Sequence, residues 1–339
     1  MSALSYVVTS YNNAAYIEES ITSILAQSRP VAEILIVDDA STDTSMEILE
    51  GLVDRGPIRL VRRPENLGAG ANRHLGFMEA RGPFVTNLAG DDRIDPAKVE
   101  NEMRLLERAG DGLAFSDAEL VYPDGRRWRL DSRYFAELDS PKARVEAMLT
   151  RPGPLPHHMI YAKSLYEQAG GYDTTAGLYE DWSLKLRLAA TEASWVHTGE
   201  IGLYYNQHGA GLSASSSILH AYWRLYVLGR NYEWIAGLIS EDATLACLRG
   251  AADLLAKPDQ PAETQKLGQA FRTALERPGR TIHHLPEALD RLVAERGEGR
   301  VSVEIAGMAL RQLFKQLQGG SRVSQLSRRI ASAMGRTSS

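Results

Sequence analysis

The first half of the chain alternates short apolar segments with segments whose apolar residues recur at helical spacing. Leu4–Thr9 is apolar and β-branched, which favours a buried strand. After it, apolar residues at positions 17, 21, 24 and 25 predict one face of a helix. The alternation continues and predicts further strands at Ile34–Val37, Ile58–Val61 and Phe84–Leu88. This βαβαβαβ order predicts an α/β fold, with a doubly wound, mostly parallel sheet and helices on both faces.

The pattern changes in the remainder of the chain. Short strands are still predicted at Leu113–Ser116, Arg126–Leu130, Trp195–His197 and Ile201–Tyr205. From about Ala214 onward, strand signals vanish and helical segments are separated by prolines and by Gly319-Gly320. We therefore predict an α/β domain over residues 1–213 and an all-helical C-terminal domain over residues 214–339.

Composition excludes several classes of protein. The 339 residues are 44% apolar and 24% charged, as in soluble globular proteins. The net charge of −5 provides no basic field for nucleic acid. Cys247 is the only cysteine, so no intrachain disulfide can form, which fits a reducing compartment. The N-terminus lacks the pattern of a signal peptide, and we predict a cytoplasmic protein.

The end of the chain is basic. No acidic residue follows Glu304, and apolar residues at helical spacing lie between the cations. The cations are Arg311, Lys315, Arg322, Arg328, Arg329 and Arg336. A basic amphipathic helix can lie on an anionic membrane, which predicts peripheral contact with the inner membrane face. The alternative is a solvated bundle helix followed by a frayed tail.

Four polar clusters follow the four N-terminal strands. They are Thr9–Asn12, Asp38–Ser41, Asn66–Arg73 and Gly90–Asp92. Each cluster alone is explained by a helix cap or a turn. In a doubly wound sheet, however, ligands bind outside the carboxyl ends of the strands, so four clusters at that edge indicate a binding site.

Two familiar nucleotide signatures are missing. The chain has no GxxxxGK[ST] motif and therefore no P-loop. The segment that begins at Gly68 opens like a dinucleotide fingerprint, but Arg73 stands in place of the third glycine. Leu88 stands where an acidic ribose ligand is needed. A Rossmann dehydrogenase is therefore disfavoured.

The polar clusters suit a nucleoside diphosphate. Asp91 and Asp92 are adjacent carboxylates of the kind that hold Mg²⁺ or Mn²⁺, and such a metal bridges a diphosphate. It would neutralise charge on a departing nucleoside diphosphate. Arg73 can contact the same phosphates. Tyr11 offers a ring for base stacking, and Asp39 can accept a hydrogen bond from the edge of a base.

A transfer reaction to a hydroxyl also needs a general base. The Glu180-Asp181 pair follows a glycine-bearing loop and begins a predicted helix. It is the best candidate for the base, although Asp181 is also a good helix N-cap.

At this point the ordered motifs resemble those of family 2 glycosyltransferases. The motifs are Tyr6–Asn13, Ile36–Asp43, Glu65–Gly68, Ala71–Gly76, Leu88–Asp92, Gly170–Asp173 and Glu180–Trp182. Each is weak alone, but all occur in the family's order and spacing over roughly residues 3–213. The C-terminal helices resemble no family that we can name.

The resemblance implies a GT-A fold, a nucleotide-sugar donor, a divalent metal and inversion at the anomeric carbon. A UDP-sugar is the expected donor, and Mn²⁺ or Mg²⁺ is the expected metal. By position, Thr9, Tyr11 and Asp39 would hold the base and ribose. The remaining residues that the resemblance assigns to the site are Arg73, Asp92 and His208 for the nucleotide diphosphate, Asp91 for the metal, and Asp181, with Glu180 beside it, for catalysis.

Two positions depart from the family's pattern. Ala89 stands where many relatives carry the first aspartate of an Asp-x-Asp-Asp metal motif. Asn206 stands where relatives often carry arginine in a segment, from Tyr205 to Ser213, that closes over the diphosphate. Both changes are expected to weaken metal or diphosphate binding.

The sequence thus predicts a metal-assisted glycosyltransferase of polysaccharide or glycoconjugate biosynthesis. Its acceptor would be a glycan, a lipid-linked glycan or a small molecule. The main alternative is a non-catalytic subunit that binds a nucleotide sugar or serves as a scaffold, given Ala89. A nucleotidyltransferase is disfavoured, because no glycine-rich, lysine-bearing loop follows the first strand.

Overall fold

The structure is a computed structural model that describes residues 3–110, 112–150, 155–208, 215–276, 285–294 and 301–317. The chain divides into two compact units. The first comprises Met1–Thr175 and Glu180–Gly211, and the second comprises Ala176–Tyr179 and Leu212–Ser339. The boundary that the sequence predicts near residue 214 falls within residues 209–214, outside the described residues, and stays a prediction.

The first unit is built on a nine-stranded sheet. Its strands are β1 (Leu4–Ser10), β2 (Glu33–Asp38), β3 (Ile58–Arg62), β4 (Phe84–Ala89), β5 (Arg93–Ile94), β6 (Gly112–Val121), β7 (Arg127–Leu130), β8 (Ile160–Ala162) and β9 (Ser194–Asn206). Their order is β3-β2-β1-β4-β8-β6-β9-β5, with β7 paired to β6. The α/β class is confirmed. The sheet is mixed, because β8 pairs antiparallel with β4 and β6 whereas β1 to β4 pair in parallel.

Helices cover both faces of this sheet. They are α1 (Ile17–Leu25), α2 (Ser45–Glu50), α3 (Ala69–Glu79), α4 (Lys98–Ala109), α5 (Pro141–Thr150), α6 (Lys163–Gln168) and α7 (Glu180–Ala189). Apolar residues of α1 and α4 share a buried cluster with Tyr6 and Val8. On the opposite face, α3 approaches Val7 so closely that a Cβ on Gly76 would lie 2.3 Å from the valine Cγ1. Glycine at this position therefore lets α3 lie directly on β1.

The last strand of the sheet, β9, differs from the sequence prediction. Two short strands were expected at Trp195–His197 and Ile201–Tyr205, but β9 runs continuously through both. It pairs in parallel with β6, and the register shifts on either side of Asp117. A register shift bends a strand pair without ending it. The pair therefore continues to Asn206, beside the loop that follows β4.

The described part of the second unit contains only helices and short connections. Its helices are α8 (Ser217–Leu238), α9 (Glu241–Leu255), α10 (Ala262–Leu275), α11 (Leu285–Ala294) and α12 (Val303–Leu317). The Ser216 and Ser240 side chains cap α8 and α9. Pro261 precedes the first residue of α10, and Pro286 lies in the first turn of α11. Proline is tolerated there because the first helical N–H groups need no intrahelical partner. The predicted helical C-terminal region is confirmed.

The predicted membrane contact cannot be followed into the tail. Arg322, Arg328, Arg329 and Arg336 lie outside the described residues, so that hypothesis stays a prediction. None of the helices in the described part of the chain has the length and apolarity to span a bilayer.

Candidate active site

The loops that follow β1 and β2 are fastened to each other. The Asn12 amide donates to Ser41 Oγ at 2.9 Å, and the Thr42 amide donates to Asn12 Oδ1 at 2.8 Å. Asn12 adopts a positive φ of 52°, and α1 begins only at Ile17. The asparagine side chain is thus used to join two loops at the edge of the sheet.

Asp39 lies at this edge and is held by backbone amides. It is buried, and its two oxygens accept from the amides of Leu67 and Gly68 at 2.9 and 2.8 Å. A carboxylate has about four lone-pair sites, so capacity remains for a further donor. Thr9 is also buried, at the end of β1, whereas Tyr11 is 46% exposed. The tyrosine ring is therefore available for stacking.

Asp91 and His208 meet beyond the end of β4. Their Oδ2 and Nε2 atoms lie 3.0 Å apart. The His208 ring stacks on Tyr16, with ring centroids 4.9 Å apart and planes 23° from parallel. Asn206 holds the loop that carries Asp91 and Asp92. Its side-chain amide donates to the Asp91 carbonyl at 2.6 Å, and its backbone amide donates to Asp92 Oδ1 at 2.9 Å. Asn206 therefore has a structural use in this chain.

Asp92 lies deeper than Asp91. Burial, and next the charge of Asp91, raise the pKa of Asp92 well above its ordinary value. His158 Nε2 lies 3.9 Å from Asp92 Oδ2, but burial keeps the pKa of His158 well below its ordinary value, so the ring is neutral and the contact is not a salt bridge. His158 has a positive φ of 45°, and Lys98 Nζ donates to its carbonyl at 3.0 Å. Strained residues of this kind cluster at functional sites.

Arg73 forms an ion pair with Glu180. Both side chains are largely buried, and Arg73 Nη1 donates to Glu180 Oε1. Burial opposes the charge on Arg73, but Glu180 and the carboxylates of Asp181 and Asp91 together raise its pKa above the ordinary value. Burial raises the pKa of Glu180, and Arg73 opposes that rise. Gly70 allows the approach, because a Cβ there would lie 3.1 Å from the Glu180 Cγ.

Asp181 is held by a lysine of its own helix. Lys185 Nζ lies 2.7 Å from Asp181 Oδ2, and the aspartate side chain is 39% exposed. Desolvation acts to raise the pKa of Asp181, but Lys185, followed by Arg73 and His157, lowers it below the ordinary value. Burial, assisted by Lys185, lowers the pKa of His157 to about 3. The carboxylate is therefore ionised and the imidazole neutral at neutral pH.

The structure brings most of the predicted residues into one neighbourhood. Arg73 lies close enough to Asp91, Glu180 and Asp181 for their negative charges to raise its pKa. Sequence reasoning did not assign roles to Lys185 or Tyr16. The first had a signal, because it follows Asp181 by four residues and so lies on the same helix face. The ring of Tyr16 had none, because only tertiary structure brings it to His208.

Asp91 and His208 are adjacent side chains of types that bind divalent metals. No group of three or more His, Cys, Asp and Glu side chains in the described ranges is arranged to hold an ion. Mg²⁺ and Mn²⁺ are nevertheless often held by one or two protein ligands together with substrate phosphates. The adjacent Asp91 Oδ2 and His208 Nε2 fit that arrangement, whereas Ala89 supplies no side-chain oxygen.

Comparisons with known proteins concern the family and the fold of the chain. Residues 5–170 match the model of Glycosyl transferase family 2. The succinoglycan biosynthesis protein ExoO of Rhizobium meliloti is 32% identical over 49% of this chain and 47% of its own length. The putative teichuronic acid biosynthesis glycosyltransferase TuaG of Bacillus subtilis is 34% identical over 36% of this chain and 49% of its own length. The matches thus span about half the length of these relatives.

Solved structures show a similar fold. The crystal structure of S. aureus TarS 1–349 has a TM-score of 0.59 and 15% identity, and the match covers 94% of this chain and 90% of that one. TarS 1–349 in complex with UDP-GlcNAc has a TM-score of 0.54 and 16% identity, with 94% and 91% covered. At this identity the likeness concerns the fold alone.

Proposed function

Residues 5–170 belong to glycosyltransferase family 2, and from that membership we propose that the chain transfers a sugar from a nucleoside-diphosphate sugar to an acceptor hydroxyl. The observation that carries the proposal is the group of charges around Arg73. That residue lies among Asp91, which follows β4, and Glu180 and Asp181, which begin α7. This arrangement supports a leaving-group side at Asp91 and a general-base side at Asp181 within one site.

The donor in this proposal is a UDP-sugar. Tyr11 stacks on the base, Asp39 accepts a hydrogen bond from its edge, and Thr9 lies beside the ribose. The exposed Tyr11 ring and the remaining acceptor capacity of Asp39 support these roles. The complexes of TarS with UDP and with UDP-GlcNAc support uridine as the nucleoside.

The diphosphate lies between Arg73 and His208 in the proposed complex. Arg73 exchanges its bond to Glu180 for the phosphates, which its buried guanidinium can hold in a bidentate manner. Asp91 and His208 would hold Mn²⁺ or Mg²⁺, and such a metal neutralises negative charge on the leaving diphosphate. Asp92 positions this corner through its bond to the Asn206 amide.

Asp181 is the proposed general base. It takes the proton of the acceptor hydroxyl, whose oxygen then bonds to the sugar C1 as the bond from C1 to the diphosphate oxygen breaks. Attack from the face opposite the leaving group inverts the anomeric carbon. Asp181 is ionised at neutral pH, and its side chain is exposed enough for an acceptor hydroxyl to reach it, which supports this role.

The acceptor in this proposal belongs to polysaccharide or glycoconjugate synthesis. The names of ExoO and TuaG, which refer to succinoglycan and teichuronic acid biosynthesis, support that assignment. We place the reaction in the cytoplasm, and the basic C-terminal residues would contact the inner membrane face if the acceptor is lipid-linked.

The test is a binding and turnover screen with UDP, GDP, dTDP, CMP and NAD, each with Mn²⁺ and with EDTA. A ligand that binds only the folded state raises the melting temperature. We expect a rise with UDP that is larger with Mn²⁺, and slow release of UDP from a UDP-sugar. A shift with NAD alone would contradict the donor class, and equal shifts in Mn²⁺ and EDTA would remove the metal from the proposal.

A second candidate is a nucleotide-sugar-binding subunit without catalysis. The observation that favours it is that Arg73 and Asp181 are both engaged in ion pairs, while Ala89 leaves the metal corner with one ligand fewer. UDP-sugar binding without turnover across a broad set of acceptors would favour this alternative.

A further inference from the structure

His157 differs from the other histidines of the first unit in the use of its ring. The rings of His74, His158, His197 and His208 each share a hydrogen bond with another protein group. No hydrogen bond joins either ring nitrogen of His157 to the described residues, and the residue is only partly buried. Because the polar atoms of structural side chains are hydrogen-bonded as a rule, these two nitrogens are left for solvent or a ligand.

The backbone beside this ring is fixed. The His158 carbonyl accepts from Lys98 Nζ at 3.0 Å and from Thr86 Oγ1 at 3.1 Å. The His158 ring donates from Nδ1 to the Asn87 carbonyl at 2.7 Å. These bonds hold the preceding residue, His157, in place without using its side chain.

The two histidines extend from one side of the candidate site toward the other. His158 Nε2 is 3.9 Å from Asp92 Oδ2, and Asp92 follows the proposed metal ligand Asp91. The His157 ring centroid lies 6.3 Å from that of His158. The charge of Asp181, the proposed base, acts on the His157 ring. The pair therefore reaches from the leaving-group side toward the general base.

A second contact places His157 beside the same loop. Its ring centroid lies 6.0 Å from that of Tyr205. The residue that follows Tyr205, Asn206, donates from its side chain to the Asp91 carbonyl at 2.6 Å. The position of His157 near the leaving-group side thus does not depend on its chain neighbour alone.

In the proposed reaction, this interval holds the transferred sugar. The sugar C1 is bonded to the diphosphate before transfer and to the acceptor oxygen, which Asp181 deprotonates, after it. The sugar ring must therefore lie between the diphosphate and the base. A side chain between these two sides contacts the donor sugar.

The His157 ring suits a hydroxyl rather than a phosphate. Burial, and next the charge of Lys185, lowers the pKa of His157 to about 3, so the ring is neutral at neutral pH. A neutral imidazole offers one N–H donor and one nitrogen acceptor, which match the acceptor and donor of a sugar hydroxyl. Phosphate oxygens only accept, and the guanidinium of Arg73 is the better partner for them. An imidazole with so low a pKa also binds a proton too weakly to replace Asp181 as the base.

We propose that His157 binds a hydroxyl of the donor sugar and contributes to the choice of that sugar. This proposal rests on the proposed function and makes it more specific: the residue recognises the hexose of the UDP-sugar and not its nucleotide.

The experiment compares the affinities for UDP and for four UDP-sugars by titration calorimetry with Mn²⁺. The UDP-sugars are UDP-glucose, UDP-galactose, UDP-N-acetylglucosamine and UDP-glucuronate, and UDP release from each is followed in parallel. The variants are His157→Ala, His157→Phe, which keeps a ring without nitrogen, and His157→Gln, which keeps a donor and an acceptor. The control is His74→Ala, which removes a half-buried histidine bonded to Tyr166. UDP is the internal reference, because it lacks the sugar.

We expect His157→Ala and His157→Phe to bind the preferred UDP-sugar about tenfold more weakly than the wild type, which corresponds to the loss of one or two hydrogen bonds. Their UDP affinity should be unchanged, and their preference among the four UDP-sugars should be smaller. His157→Gln should recover most of the UDP-sugar affinity, because its amide also donates and accepts. His74→Ala should keep the wild-type ratio of UDP-sugar to UDP affinity.

Two results would overturn the proposal. If His157→Ala and His157→Phe bind every UDP-sugar as the wild type does, the ring does not contact the donor sugar, and slower UDP release in that case would assign the ring to the acceptor. An equal loss of UDP and UDP-sugar affinity in both variants would assign the residue to the nucleotide or to the fold. If the wild type binds UDP normally in these cases, only the role of His157 fails. If the wild type binds no UDP, the proposed function fails as well.

Discussion

The carboxylates on the two sides of the candidate site are held in different ways. On the donor side, Asp39 accepts from two backbone amides and Asp92 from one. At the start of α7, Glu180 and Asp181 pair with the side-chain cations Arg73 and Lys185, and Asp181 also accepts from the Trp182 amide at 2.7 Å. Backbone amides cannot leave without deforming the fold, whereas a side-chain cation can change partner. If the proposed function is correct, this difference favours a preformed donor side and a base side in which Arg73 and Lys185 change partners when substrates bind.

The largest expected effect comes from Asp181→Asn, which removes the proposed base. We expect turnover to fall about 10²–10⁴-fold, the usual contribution of general base catalysis. UDP binding should be unchanged, because the donor side is held independently. The measurement is UDP release beside calorimetric UDP binding, with exposed Asp54→Asn as the control. Full activity of Asp181→Asn would show that Asp181 is not the general base.

Glu180→Gln tests whether the Arg73 partner is exchangeable. Leaving a buried arginine without a charged partner should cost about 3 kcal/mol of unfolding free energy, measured by denaturant titration. Saturating UDP should recover part of that loss beyond its effect on the wild type, because phosphates replace the missing charge. The control is Glu79→Gln, which breaks the more exposed pair with Arg59 and should cost under about 1 kcal/mol. If UDP stabilises Glu180→Gln and the wild type equally, Arg73 does not contact the diphosphate.

Lys185→Met tests, through the pH dependence of kcat/KM, whether Lys185 lowers the pKa of Asp181. Lys185 lowers the pKa of Asp181, so its removal raises that pKa. Activity is lost when Asp181 becomes protonated, and the acid limb of kcat/KM should therefore move to higher pH, by at least about one unit. Lys185→Arg should restore the limb, and Lys163→Met, which changes a lysine bonded to backbone carbonyls of Met78 and Ala80, should leave it in place. An unmoved acid limb would contradict the role of Lys185.

The ion pair between Asp181 and Lys185 also makes the stability of the fold depend on pH. Because the folded pKa of Asp181 is lowered, the pair stabilises the fold above the ordinary carboxyl pKa. That contribution is lost as the pH falls through the lowered pKa. In Lys185→Met, stability should therefore fall less steeply on acidification than in the wild type.

The smallest expected effect is that of Asp39→Asn. One amide hydrogen bond would be lost, because the new NH₂ group cannot accept from Leu67 or Gly68, at a cost of about 1 kcal/mol. Asp43→Asn is the matched control, since Asp43 also accepts backbone amides but is exposed. Chemical denaturation of both variants gives the difference. A loss at Asp39 no larger than at Asp43 would weaken the idea of a rigid donor side.

Local pattern was sufficient for the regular part of the fold. The predicted strands at Leu4–Thr9 and Ile34–Val37 correspond to β1 and β2, because a buried parallel strand is apolar along its whole length. In contrast, β5 and β8 have only two and three residues. Segments so short carry no periodicity, and they exist as strands because of β9, β4 and β6, which lie elsewhere in the chain.

The candidate site divides in the same way. The sequence by itself determined which carboxylates follow the strands and begin α7, since strand ends and helix starts are local properties. Only the tertiary structure decided that Arg73 pairs with Glu180 and that Tyr16 stacks on His208. These partners lie far apart in the chain. Their meeting depends on strand order and register, which arise from the packing of the whole unit.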